Sequence, residues 1–200
     1  MNPLKTVAGT IIGGIVLAVI IAAATSGIKF NANSLVVWIH LLAGITWIGI
    51  LYYFNFVQVP ALADAAGDEG GPGGAGITKY VAPRALWWFR WGAALTWLSG
   101  AVLLHQMGIL HHAFTLGMTE GGNPTHLTIG VGAWFGTIML FNVWVLIWPN
   151  QKKILGMVEA SDAEVAKARA VAFAASRTNT LLSIPMLMSM VGYGHGGFFL

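Results

Sequence analysis

The sequence predicts an all-α integral membrane protein of five transmembrane helices: a four-helix bundle made from two repeated helical hairpins, plus one extra N-terminal helix. Three observations carry this reading. Of the 200 residues, 56% are hydrophobic and 8% charged, against about 25% charged in an ordinary soluble domain. The apolar residues fall into runs of about 20, the length that crosses about 30 Å of hydrocarbon at about 1.5 Å per residue. A pattern of Trp, Gly, Phe and Asn also recurs at a constant offset of 87 residues, Trp47 matching Trp134. One membrane domain over residues 1–200 follows.

The first span is residues 6–26, an apolar stretch behind Lys5 that is too long for the core of a cleaved signal peptide. The second is residues 35–59. Residues 61–81 hold Asp64, Asp68 and Glu69 beside Gly70-Gly71-Pro72-Gly73-Gly74 and read as a flexible polar loop. The third span is residues 85–107, followed by a nearly uncharged polar loop over 108–125. The fourth is residues 127–148. Residues 151–177 read as a helix on the cytoplasmic surface, because Ser161 and Glu164 have the spacing of a capping box. The fifth span is residues 178–200.

With five spans, Lys5, Lys79, Arg84, Arg90, Lys152, Lys153, Lys167, Arg169 and Arg177 fall on one side and Lys29 alone on the other. Cytoplasmic loops collect Lys and Arg. The N-terminus is therefore expected in the cytoplasm and the C-terminus in the periplasm of a bacterial-type inner membrane. The net charge of +3 then records orientation in the lipid bilayer and not affinity for nucleic acid. The sequence has no cysteine. That excludes disulfides, thiolate metal sites, iron–sulfur clusters and a covalently attached c-type haem within this sequence.

The repeat pairs Trp47-Ile48-Gly49 and Phe54-Asn55 with Trp134-Phe135-Gly136 and Phe141-Asn142, and carries Arg90 onto Arg177. Two hairpins related by an axis along the membrane normal would give this pattern; chance matching in apolar sequence is the alternative.

The six histidines all fall toward the outer face of this topology. At the repeat offset, His40 lands one residue from His126 and His105 three residues from His195, so each hairpin presents a histidine pair near its outer end. Histidines on facing helices commonly hold b-type haem. His40 lies inside the apolar run Val36-Val37-Trp38-Ile39 and Leu41-Leu42-Ala43, where a charged group costs roughly 2.5–3.5 kcal/mol and marks function. His195 is flanked by Gly192, Gly194, Gly196 and Gly197, which leave room for a flat macrocycle. His40 and His195 are the first candidate ligands, with His105 and His126 next. His111, His112 and His126 read equally well as interfacial polar residues, and three imidazoles also suit copper or zinc. Trp38, Trp87, Trp88 and Trp148 lie near span ends, as interfacial belts do. Arg90 can snorkel to the cytoplasmic surface. Asn55 and Asn142 are expected to hydrogen-bond between helices, with a polar pocket involving Arg90, Arg177 and Asn179 as the alternative.

Several stretches resemble the membrane urate oxidase N-terminal family. They are Trp38-Ile39-His40-Leu41-Leu42-Ala43-Gly44-Ile45-Thr46-Trp47-Ile48-Gly49, Tyr53-Phe54-Asn55-Phe56-Val57-Gln58, and Ala82-Pro83-Arg84-Ala85-Leu86-Trp87-Trp88-Phe89-Arg90-Trp91-Gly92. Phe141-Asn142-Val143-Trp144, Trp148-Pro149-Asn150-Gln151-Lys152-Lys153 and the run from Ser176 to Met186 extend the resemblance over spans two to five. More distantly, the second span resembles membrane families related to copper-resistance proteins and to a haem-containing protoporphyrinogen oxidase, in which a histidine at the position of His40 is linked to haem. The resemblance implies urate oxidation coupled to a C-terminal c-type cytochrome. This sequence holds no Cys-x-x-Cys-His, so the cytochrome is expected on another polypeptide. The function expected is a haem-b-binding membrane protein exchanging electrons with an outer-side cytochrome c, in a respiratory or oxidoreductase complex. Urate hydroxylation, a cofactor-free structural subunit and copper handling are the alternatives.

Overall fold

The computed structural model describes residues 2–26 and 31–197, which contain no β-strand. The chain divides into two compact units, residues 1–35 and 36–200. In the first, a single 3-10 turn, Pro3–Lys5, is capped by Asn2, whose side chain accepts from the Leu4 N–H. Helix α1, Val7–Ser26, follows. Thr6 Oγ1 accepts from the Gly9 N–H at 3.0 Å and so starts the helix. No charged residue interrupts α1, which is apolar on every face, the pattern of a helix surrounded by nonpolar medium.

The second unit is built on long helices that change pitch at defined points. Helix α2, Ala32–Tyr53, passes through a π-helical turn, Phe54–Gln58, into α3, Val59–Gly67. After a glycine-rich turn, a second π turn, Ile77–Val81, leads into α4, Ala82–Gln106. A short α5, Leu110–Phe114, and a 3-10 turn, Met118–Glu120, precede α6, Pro124–Phe141. A third π turn, Asn142–Ile147, joins α6 to α7, Trp148–Ile154. Helix α8, Asp162–Gly194, is continuous over 33 residues. Each π turn ends two residues before a proline: Pro60, Pro83 and Pro149. Proline supplies no N–H and its ring crowds the carbonyl four residues back. The wider turn moves the ladder to five-residue bonds, such as Val59 N–H to Phe54 O, Ala82 N–H to Ile77 O and Trp148 N–H to Val143 O. The helix bends around the proline without ending there.

The long helices touch in a ring, each antiparallel to its neighbours. On α2 and α4, His40 meets Thr96, Trp47 lies against Gly92, and Phe54 packs edge-on to Phe89. Trp97 Nε1 donates to Thr137 Oγ1 across α4 and α6. From α6 to α8, Gly132 faces Ser189 and Asn142 Nδ2 donates to Asn179 Oδ1 at 2.8 Å. Tyr52 bonds Ser183, and Asn55, in the π turn that follows α2, donates to Ser176 Oγ, which closes the ring from α8 back to α2. Both repeat-matched asparagines thus hydrogen-bond between helices, as the sequence indicates.

Among the described residues, three continuous helical segments are long and apolar enough to cross a membrane: Val7–Thr25, Ala32–Gly67 and Pro124–Ile154. Helices α4 and α8 are more polar overall, but their polarity is turned inward. Trp87, Trp88, Trp91, Leu95 and Leu98 of α4, and Leu181, Ile184 and Val191 of α8, point outward. Their buried faces carry Gly92, Thr96 and Ser99 on one helix and Asn179, Ser183 and Ser189 on the other. Small inner residues let backbones approach closely where no hydrophobic effect drives helices together.

The helices differ from their expected extents in three places. The polar loop expected over 61–81 shrinks, because the alanine-rich segment after Pro60 continues as α3 to Gly67 and only the glycine-rich stretch breaks the chain. The loop expected over 108–125 contains α5 and a 3-10 turn. The surface helix expected over 151–177 is split: its start belongs to α7, and the rest is one helix with the fifth span, since nothing at Arg177-Thr178 interrupts the ladder. The capping box at its head is present, with Ser161 and Glu164 reciprocally bonded. The end of the fifth span, Phe198–Leu200, and Lys29 lie outside the described residues.

Two outcomes are expected from this packing. Trp47 is buried and its Nε1 has no hydrogen-bond partner among the described residues, a deficit of about 1–3 kcal/mol. Trp47→Phe should therefore hold the unfolding temperature in detergent near that of the parent, whereas Trp47→Ala, which leaves a void, should cost about 3–5 kcal/mol. The Glu164 carboxyl is held below the usual carboxylate range by the Ser161 N–H, then by the Ser161 hydroxyl and Lys153. A depressed acid stabilises above its unfolded value, and that contribution disappears as pH falls through the lower folded value. Amide exchange in the first turn of α8 should rise at acid pH, and Glu164→Gln should remove the pH dependence.

Candidate functional site

The antiparallel ring gathers the histidines at one end of the second unit. His40 is half-buried in the first half of α2. Its Nδ1 lies 2.8 Å from the Thr96 carbonyl oxygen and 3.2 Å from Ser99 Oγ. A carbonyl oxygen only accepts, so Nδ1 carries the proton and the neutral ring keeps its lone pair on Nε2. The ring rests on Gly100, where a Cβ would stand 3.0 Å from His40 Cε1. His195, at the C-terminus of α8, is anchored in the same way: Nδ1 donates to the Val191 carbonyl at 2.9 Å, again leaving Nε2 as the lone-pair nitrogen. His105 is exposed at the end of α4 and His111 is exposed in α5.

His126 has different company. The segment between α4 and α6 folds back so that His112, Glu120 and His126 place one ligand atom each within 4.8 Å of the others. His126 Nδ1 bonds Glu120 Oε2, His112 Nε2 stands 3.5 Å from Glu120 Oε1, and the two imidazoles stack 5.4 Å apart at 11°. Thr119 Oγ1 holds His112 Nδ1 at 3.1 Å. The backbone enforces this fold. Gly117 has φ +71°, and a Cβ there would come within 2.4 Å of the Asn123 carbonyl oxygen. Asn123 in turn caps α6 through the Thr125 and His126 N–H groups. Helix α5 lies on α6 at Gly130, where a Cβ would meet the Ala113 carbonyl at 2.2 Å. Sequence reasoning placed His126 among the haem candidates and gave Glu120 no role. The available signal was a His, a Glu and a His within fifteen residues of a turn-rich segment, but only the turn geometry makes them neighbours.

The opposite end holds a cavity of about 730 Å³ between the π turn after α2, α3, the start of α4, α7 and α8. Its walls are mainly apolar, with Asn55, Gln58, Gln151, Arg169 and Ser176 among the polar lining residues. Gln58 is nine-tenths buried and its Oε1 has no partner among the described residues. Arg90 is elsewhere, with its guanidinium over the Trp148 ring at 3.2 Å, and Arg177 lies over Phe173. Asn179 is engaged by Asn142 and the Met139 carbonyl. The polar pocket considered for Arg90, Arg177 and Asn179 is thus not formed by those residues. Arg169 takes the position at the cavity.

Fold and site define a helical protein with segments long and apolar enough to cross a membrane, a histidine-bearing end and a cavity at the other. Residues 107–199 match the family model described as urate oxidase N-terminal, in agreement with the resemblance read from the sequence. The match takes in α5 to α8 with the histidine loop and leaves His40 outside it. No curated protein and no solved structure matches the chain.

The loop geometry gives a direct expectation. Gly117→Ala and Gly130→Ala should each lower the unfolding temperature in detergent. Gly136→Ala, at a helical site with nothing near its Cβ, should be neutral or raise stability by up to about 1 kcal/mol.

Proposed function

We propose that the chain is a haem-b-binding membrane protein of the urate oxidase N-terminal type that exchanges electrons with a c-type cytochrome on its outer face, as a subunit of a respiratory or oxidoreductase complex. The observation that carries the reading is the state of His40. Inside an apolar helix, its Nδ1–H is committed to a backbone carbonyl, and its Nε2 lone pair is left for a metal. A hydrogen bond at the far nitrogen is how proteins orient a ligating imidazole and raise its basicity. His195 shares this arrangement and is the second ligand proposed; His105 is the reserve. The donor set suits haem iron, and Gly100 supplies a face without a side chain against the His40 ring. The group, when bound, supplies a one-electron ferrous–ferric couple. The protein's part is to fix the imidazole tautomer and ring plane.

In this reading all five long helices cross the bilayer as two repeated hairpins and one N-terminal helix. The outward Trp and Leu faces of α4 and α8 support that. So do the matched π turns that begin at or one residue before Asn55 and Asn142. The cavity end carries Lys79, Arg84, Lys152, Lys153, Lys167 and Arg169 and is assigned to the cytoplasm. The histidine end then faces the periplasm, where a soluble cytochrome would dock.

Urate hydroxylation is a second reading, favoured by the cavity. A guanidinium at Arg169 and the open carboxamide of Gln58 suit a flat, anionic, hydrogen-bonding substrate. A reduced-minus-oxidised visible spectrum of the purified protein tests the first reading. A b-type spectrum is expected, lost in His40→Ala and in His195→Ala. A colourless wild type of intact fold would overturn it, pointing to copper handling if copper is bound and to a structural subunit if not. Reduction of the haem by added urate, abolished in Arg169→Ala, is expected only if the second reading also holds.

A further inference from the structure

We infer that His112, Glu120 and His126 form a binding site for a divalent first-row transition-metal ion of the zinc type, separate from the haem ligands proposed above. Two imidazoles and one carboxylate are a common donor set for such an ion, leaving at least one position for water. The spacing is right for it. Two ligands on a tetrahedral zinc, each at about 2.0–2.1 Å, stand about 3.3 Å apart. His112 Nε2 and Glu120 Oε1 are 3.5 Å apart, and all three ligand atoms lie within 4.8 Å of one another. For the ion to enter, the direct bond between His126 Nδ1 and Glu120 Oε2 has to open and the proton on Nδ1 has to leave, to Nε2 or to water.

The surrounding atoms also favour a metal. Thr119 Oγ1 holds His112 at Nδ1, so the ring presents Nε2 to the site in a fixed orientation. Thr115 Oγ1 bonds the same Thr119 hydroxyl and the His111 carbonyl, which fixes the threonine in turn. Such outer hydrogen bonds are typical of histidines that ligate metals. The three ligands come from α5, a 3-10 turn and the first turn of α6, so an ion would tie together a connection otherwise held by glycine turns and caps. Ligating imidazoles bind neutral and a ligating carboxylate ionised, so the occupied donor set offers a dication one negative charge. An oxygen-poor set of this kind does not suit magnesium or calcium.

The full-length protein, purified in detergent through a tag without histidine, tests this by equilibrium dialysis against ZnCl₂ with metal analysis. One zinc per chain is expected, undisturbed by millimolar magnesium. Affinity should fall at least roughly ten-fold in Glu120→Gln and disappear in the double variant His112→Ala, Glu120→Gln. Thr119→Val removes the hydroxyl that holds His112 Nδ1 and Thr115 Oγ1 and leaves all three ligands in place; it should weaken binding by roughly 10- to 100-fold, an effect that a plain His–Glu ion pair gives no reason to expect. Unfolding curves of each variant show that the fold is retained. Absence of stoichiometric zinc from the wild type, or equal affinity in the double variant, would overturn the assignment; the second result would move the ion to other histidines. None of the substituted residues is a proposed haem ligand, so this site and the haem stand or fall separately.

Discussion

The hydrogen bonds gathered on the inner face of α8 fix where α2 and α6 lie. Ser176 takes Asn55, Asn179 takes Asn142 and reaches the Met139 carbonyl, and Ser183 takes Tyr52. All three belong to one stripe of a helix whose outer face is Leu181, Ile184 and Val191. In a nonpolar surrounding each such bond contributes only about 0.6 kcal/mol on average, so the stripe adds modestly to stability. Its larger effect is on register, because sliding α2 or α6 by one residue would leave buried amides and hydroxyls unpaired. Helix α4 is placed differently. The Trp47 backbone meets Gly92 at a distance no larger residue allows without displacement, and Trp97 reaches Thr137.

That register has consequences at both ends. At one end it brings the His40 ring against the Thr96 carbonyl and Gly100. At the other, the prolines convert the helices to π turns, and the turn after α2 carries Asn55 and Gln58 to the cavity wall. A π turn has one extra residue per cycle, which turns side chains away from the regular ladder. The cavity and Gln58 Oε1, which has no partner among the described residues, sit at such a turn. On the proposed reading, the inward polar face, the bent helices and the imidazole tethered at one nitrogen serve to hold a group between helices.

Much of this was legible in the sequence. Runs of about 20 apolar residues located the helices, and the offset between Asn55 and Asn142 foretold that both would bond across helices. His40 stood out because an ionisable group in an apolar run is costly. Extents were less legible. Proline after Val59, Ala82 and Trp148 looks like a helix boundary in one dimension, yet a π turn absorbs it and the helices run on. The capping box at Ser161 and Glu164 suggested a separate surface helix ending at Arg177, but the helix it starts runs unbroken to Gly194. The triad of His112, Glu120 and His126 was legible only as three donors within one short segment, not as neighbours. It depends on Gly117 adopting a left-handed conformation against Asn123, and no spacing rule encodes that closure.

On the proposed reading His40 offers Nε2 to an iron while the Thr96 carbonyl holds Nδ1. Removing the imidazole and returning it in solution tests this most directly: electron paramagnetic resonance of oxidised His40→Gly, without and with added imidazole. The account expects a low-spin ferric signal in the parent, its loss in His40→Gly, and its return when imidazole fills the vacated position. A low-spin signal that persists in His40→Gly without imidazole would contradict it.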